Sequence, residues 1–198
     1  MEAYRHNLIV AGAVTPFLGV VEVSLRNAVS RQLAEHYGRA DWWAAWEGDP
    51  LFQRHLSQVA RAKAKLRSRW EPETPDKIIA ELTLGFWVIL FNAEFQSRLW
   101  KSLRRAFRHL PKAQRQRHNV SPLLNRLRLL RNRAFHHEPI LWLKPVELPQ
   151  IYQEGLTLLA WIDEAVPKWC MSHCQVQAAW CMWNGIAPRV QPIACLHE

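Results

Sequence analysis

Proline placement constrains this chain more than any other feature. Asp49-Pro50, Thr74-Pro75, Ser121-Pro122 and Leu148-Pro149 each set a proline at the head of an apolar periodic segment. In the first three pairs the preceding side chain can accept from a first-turn N–H, and a proline there loses no hydrogen bond. Between these marks the apolar residues recur at three- and four-residue steps, the helical period. The pattern predicts an all-α fold, a bundle of about five helices with no sheet.

The first helix is expected from near Asn7 to about His36, stopping near Gly38. Val10, Val14, Phe17, Val21, Leu25, Ala28 and Gln32/Leu33 form its inner stripe, with one polar slip at Gln32. Leu8 to Val14, behind Arg5 and His6, resembles a short leader core, but the stripe continues past Pro16 and Glu22. This favours a buried amphipathic helix and a cytoplasmic chain. Trp42, Trp43 and Trp46 then crowd a short connection, read as a hydrophobic plug over one end of the bundle. The second helix carries Phe52, Leu56, Val59, Lys63, Leu66 and Trp70, and Glu71-Pro72-Glu73-Thr74-Pro75 breaks it.

The third helix opens at Thr74-Pro75 and is apolar almost all round from Ile78 to Phe91, which predicts a central helix. It is expected to run past Trp100 and fray before Pro111. Leu123, Leu124, Leu127 and Leu130 mark the inner face of the fourth helix, from Ser121-Pro122. Ile151, Leu156, Leu158, Leu159 and Ile162 mark the fifth, which ends by Pro167. The chain of 198 residues is thus read as one helical domain over residues 1–167 and a Cys/Trp-rich extension over 168–198.

Four cysteines, all in the last 29 residues, do not make a disulfide framework, which would spread over the loops. Cys170 and Cys174 lie one helical turn apart and could share a zinc with His173 or Cys181. The spacing fits none of the common zinc modules, so the extension reads as poorly ordered or as a hydrophobic cover, and no metal site is assigned. The longest apolar run, Gly85 to Phe91, is far below a membrane span. Without a lipidation signal either, a membrane-associated basic helix protein is the weakest reading.

Charge is the second constraint. The chain carries a net +9, and the cations are concentrated. Pro50 to Trp70 holds six Arg/Lys and no acid, and Phe95 to His137 holds twelve and no acid. A solvated face usually mixes both signs, so these windows predict a phosphate-binding surface. Arg104, Arg105, Arg126, Arg128 and Arg133 are its RNA-binding candidates.

Within the second window stands Arg131-Asn132-Arg133-Ala134-Phe135-His136-His137-Glu138-Pro139. Imidazole titrates near neutrality, so His136 can take a proton from a 2′-OH or give one to a leaving 5′-oxygen. Arg131 offers fixed donors to phosphate oxygens where charge builds in the transition state. Asn132 can hold the phosphate or orient the histidine. Five residues on an ideal helix are ~140° apart, so the helix is expected to bend or end near His136. Pro139 disfavours helical geometry at Glu138 and supports that end.

This segment resembles the Arg-x4–6-His motif of the HEPN superfamily, in the form with Asn after Arg. Extended to Ile140, it is similar to the C-terminal motif of the Abi-like (abortive infection) branch. Val21-Glu22-Val23-Ser24-Leu25-Arg26-Asn27-Ala28, Gly38 with Trp42-Trp43, and Asp76-Lys77-Ile78 through Glu81-Leu82-Thr83-Leu84-Gly85-Phe86-Trp87 with Leu90-Phe91 resemble that branch in order. The resemblance spans roughly residues 4–165.

It implies a helical bundle, usually dimeric, whose paired motifs form a composite ribonuclease cleft without a cofactor. It also implies a toxin role in phage defence or a toxin–antitoxin system, with an RNA substrate and an RNA or protein antitoxin. Carried over residue by residue, the active set is Arg131, Asn132 and His136. His137 and Glu138 are supporting neighbours, and Arg26-Asn27 matches a further motif that reads as a polar strut. The rival class is a non-catalytic RNA-binding or dimerisation module.

Overall fold

A computed structural model describes residues 1–185, and all regular structure among them is helical. The expected bundle is present, but nine α-helices replace the five: α1 (Glu2–Tyr37), α2 (Gln53–Ser68), α3 (Pro75–Glu81), α4 (Leu84–Ile89), α5 (Gln96–Leu103), α6 (Arg117–Phe135), α7 (Leu148–Ile162), α8 (Ala165–His173) and α9 (Val176–Trp183).

The central element is α1 rather than the segment after Pro75. It packs against α4, α5, α6, α7 and α9, and every residue of its predicted stripe is buried. It starts five residues before Asn7, takes Pro16 in its interior and ends on Gly38, whose φ of 67° is the left-handed conformation glycine adopts freely. By length and composition alone α1 is long and apolar enough to cross a membrane, a test that a buried core helix passes as well. At its crossing with α6 and α7 the backbones come close: a Cβ on Gly155 would lie 2.4 Å from Phe17 Cζ and 3.0 Å from Leu127 Cδ2.

The predicted third helix is broken. Leu82 and Thr83 are extended (ψ 130° and 163°), and Asn92 is extended at ψ 162°. The chain therefore runs as α3, α4, a 3-10 turn Ala93–Phe95 and α5, which lets Leu84, Phe86, Trp87, Val88, Leu90 and Phe91 all reach the core. Four of these lie on α4 itself, so this short helix is buried on more than one face. The fourth helix starts at Arg117, not at Ser121, so Pro122 lies inside α6. Asp49 does cap: its Oδ1 accepts from the Leu51 N–H at 3.0 Å, and Pro50 opens a 3-10 turn that runs into α2.

In the second helix Phe52, Val59 and Leu66 of the predicted stripe are buried, His55 and Ala62 take the inward places expected of Leu56 and Lys63, and Trp70 is exposed. The tryptophan plug is present. Trp42, Trp43 and Trp46 are buried in a 3-10 turn, Trp42 Nε1 donating to Ser30 Oγ at 3.1 Å and Trp46 Nε1 to Tyr37 Oη at 2.9 Å. Trp46, Phe52, Phe86 and Phe95 surround the His55 ring, which is 2% exposed, and neither of its nitrogens has a hydrogen-bond partner.

The described part of the Cys/Trp-rich segment is helical and packed: α8 runs across position 167 and lies on α7, while α9 lies on α1. Burial pushes the Cys170 thiol up to about 12, and Cys174 is raised by the same cause. Among the described residues no group of three or more His, Cys, Asp or Glu side chains could hold a metal. Cys195 and the proline-interrupted end of the extension lie outside the described residues.

Candidate nucleic-acid interface and active segment

Helix α6 ends where the Arg131–Pro139 segment requires. Its last helical residue is Phe135 and His136 is the cap, with φ −96° and ψ 10°. The Glu138 N–H donates to the Arg133 carbonyl at 2.9 Å and the His137 N–H to the Ala134 carbonyl at 3.3 Å. These two bonds make a Schellman turn, whose pivot must be left-handed, and His137 supplies it at φ 55°. Histidine tolerates that region better than most side chains. The turn leaves Asn132, His136, His137 and Glu138 exposed.

A residue that sequence reasoning missed fixes the chain beyond the turn. Asn7 of α1 is buried; its Nδ2 donates to the Glu138 carbonyl at 3.2 Å and its Oδ1 accepts from the buried Ile140 N–H at 2.8 Å. Both main-chain groups would otherwise have no partner in a helical ladder, and one amide satisfies both. A polar residue inside the apolar start of α1 was the available signal.

Arg131 is half-buried. Its Nε lies 3.7 Å from Glu22 Oε2, and its guanidinium carbon sits 4.3 Å from the centroid of the Phe135 ring. Nε itself has no hydrogen-bond partner. Arg131 thus faces α1 and Phe135, whereas His136 projects from the cap. The helix end that the spacing predicts is present, yet the contacts of Arg131 within one chain are to Glu22 and Phe135. Arg26 Nε donates to Asn27 Oδ1 at 3.3 Å, and both line a groove of about 450 Å³ with Ser30, Arg31, Asp76 and Ile79.

The cationic windows are only partly free. Arg126 is held by Glu154 through two bonds of 2.6 and 2.9 Å, so this RNA-binding candidate already has a carboxylate partner. Arg133 donates to the Pro139 carbonyl at 3.3 Å and lies 3.9 Å from Glu138. Arg128 contacts Asn125 Oδ1 at 3.4 Å. Arg104 and Arg105 are exposed on a 3-10 turn, with no ion pair among the described residues. In the first window Lys65 and Arg69 share Glu81, and Arg67 pairs with Glu73. The hydrogen bonds from Lys65 and Arg69 hold the Glu81 carboxyl below the usual carboxylate range. A window without acids in sequence therefore has acids beside it in space.

No family model, curated protein or solved structure matches this chain. The site consists of an exposed amide and two exposed imidazoles on a pinned turn, beside a half-buried arginine and a cationic helix.

Proposed function

We propose that the chain is a metal-independent endoribonuclease of the HEPN, Abi-like type, acting as a toxin in abortive infection or in a toxin–antitoxin system. The 2′-oxygen of the substrate attacks the adjacent phosphorus in line as His136 takes its proton. The bond from phosphorus to the 5′-oxygen breaks, and that oxygen takes a proton from a second acid. The products are a 2′,3′-cyclic phosphate and a 5′-OH end. Arg131 holds the non-bridging oxygens as charge builds on them, and Asn132 orients the phosphate or the imidazole.

The observation that carries this reading is the pinned turn after α6. It keeps His136 exposed within one helical turn and a half of Arg131, at the end of the longer acid-free cationic window. One copy offers one such histidine cap, whereas cleavage benefits from separate groups at the attacking and leaving oxygens. A homodimer that sets two α6 ends across a two-fold axis supplies both. RNA is the substrate, and an RNA or protein antitoxin is the regulatory partner.

One observation favours the second reading, a non-catalytic RNA-binding or dimerisation module: Arg131 is engaged by Glu22 and Phe135. Expression of wild type and His136→Ala in bacteria, with sequencing of new 5′-OH ends, separates the two. The enzyme reading expects such ends only from the wild type, and a module produces none from either.

A further inference from the structure

Trp70 occupies a position where the fold favours glycine. Helix α2 ends in a second Schellman turn, with the Glu71 N–H donating to the Leu66 carbonyl and the Trp70 N–H to the Arg67 carbonyl, each at 3.0 Å. The pivot of this turn is Trp70, at φ 58°. A bulky side chain in the left-handed region is an outlier that a glycine would avoid. Packing does not offset the strain, because the indole is 96% exposed.

The surface leading to Trp70 carries a regular row of cations, of which the two nearest the turn are paired with Glu71 and Glu81. Arg54, Gln58, Arg61, Lys65 and Arg69 follow one another at three- and four-residue steps, so they share one face of α2. The face is ~22 Å long at the helical rise. Gln58, Arg61 and Lys65 also line a groove of about 210 Å³ whose other wall is Glu81, Leu82 and Thr83. Glu81 bonds both Lys65 and Arg69 and fixes these two side chains beside the turn. Arg54 and Arg61 have no ion pair among the described residues and are exposed.

We propose that Trp70 and this face of α2 form an accessory site for single-stranded RNA. One unpaired base stacks on the indole, and phosphates further along the strand lie on Arg61 and Arg54, the arginines of this face without a carboxylate partner among the described residues. In a duplex every base face except those of the two end pairs is covered by its neighbours, so the site favours single strands. Stacking platforms joined to cationic tracks are a general solution for single strands. The choice of RNA as the polyanion rests on the endoribonuclease reading above, while the stacking geometry is independent of catalysis.

The test measures binding in a His136→Ala background, with a labelled 12-nucleotide RNA of mixed sequence and its duplex as probes. Trp70→Gly should weaken single-strand binding about tenfold, in the range that loss of one stacked base produces. Duplex binding should change less than twofold, and Trp70→Tyr should retain most of the affinity. Because glycine suits the turn, Trp70→Gly should leave Tm unchanged or raise it by about 2–4 °C. Arg61→Ala should weaken binding and flatten its salt dependence.

Single-strand affinity unchanged by Trp70→Gly, or an equal loss for the duplex, would overturn the site. So would a Tm lowered by several degrees, which would make the indole a packing residue. Cleavage by the wild type with binding unaffected by Trp70→Gly would refute this site and leave the enzyme reading standing. A Trp70-dependent affinity in a chain that cuts nothing would do the reverse.

Discussion

Alongside the ion-paired carboxylates, one buried residue, His55, should make this fold sensitive to acid. Its ring is 2% exposed and enclosed by Trp46, Phe52, Phe86 and Phe95, with ring-centroid distances of 5.9, 6.4, 5.0 and 5.1 Å. Burial pushes its pKa down to about 4 from an ordinary 6.5; the Phe86 backbone partly opposes this and the Arg54 charge adds to it. In the unfolded chain the ring binds a proton below about pH 6.5, whereas in the folded protein it stays neutral until about pH 4. The unfolded state therefore holds more protons between these values, and stability falls as pH falls through that window.

At about 1.4 kcal/mol for each pH unit of separation, the loss is on the order of 3 kcal/mol, and it levels off below the folded-state value. His55→Leu removes this contribution and both unpaired nitrogens. It should be as stable as wild type or more so at pH 7, and its advantage should grow towards pH 4. The assay is urea unfolding at fixed ionic strength between pH 4 and 7.5, with the difference in free energy between the two proteins plotted against pH. The difference cancels the other eight histidines. Parallel pH profiles for the two proteins would refute the argument, because the ring would then be solvated or paired in the folded state.

Other substitutions probe the site and the packing beneath it. Asn7→Ala strands the buried Ile140 N–H at a cost of about 1–3 kcal/mol, so Tm should fall by roughly 2–10 °C and RNA cleavage should fall with it as the turn loosens. Gly155→Ala places a methyl 2.4 Å from Phe17 Cζ in a closed core and should cost about 1–3 kcal/mol by denaturant unfolding. Mixing Arg131→Ala with His136→Ala subunits should restore cleavage if each site takes one residue from each chain. Verified heterodimers without activity would place both residues in one chain or show that both copies of each are needed.

The fold was legible where one local signal decided it. The α1 stripe, the Gly38 stop, the Asp49-Pro50 start and the tryptophan plug need only periodicity, a cap or bulk. The break within the third helix had only a weak local signal. Thr83 and Asn92 are cap-forming residue types and take N-cap positions, but neither side chain makes a cap hydrogen bond. Their extended backbones accompany burial of Phe86, Trp87 and Phe91. Pro16 and Pro122 show the converse: each punctuates in isolation, yet packing carries the helix through it.

At the site, the end of α6 was readable from Pro139, and the exposed histidine cap followed from that end. The clamp by Asn7 was not, because it joins residues more than a hundred positions apart. For the same reason the charge windows overstated the free cations. Glu154 on Arg126 and Glu22 on Arg131 come from other helices, where a count along the chain does not see them.

The most direct measurement is cleavage of RNA by purified wild type, Arg131→Ala and His136→Ala in excess EDTA, with product ends identified and folding checked by circular dichroism. The account predicts 2′,3′-cyclic phosphate and 5′-OH products from the wild type and none above background from either folded variant. Cleavage by a folded variant at the wild-type rate, or activity that disappears with EDTA and returns with Mg²⁺, would contradict it.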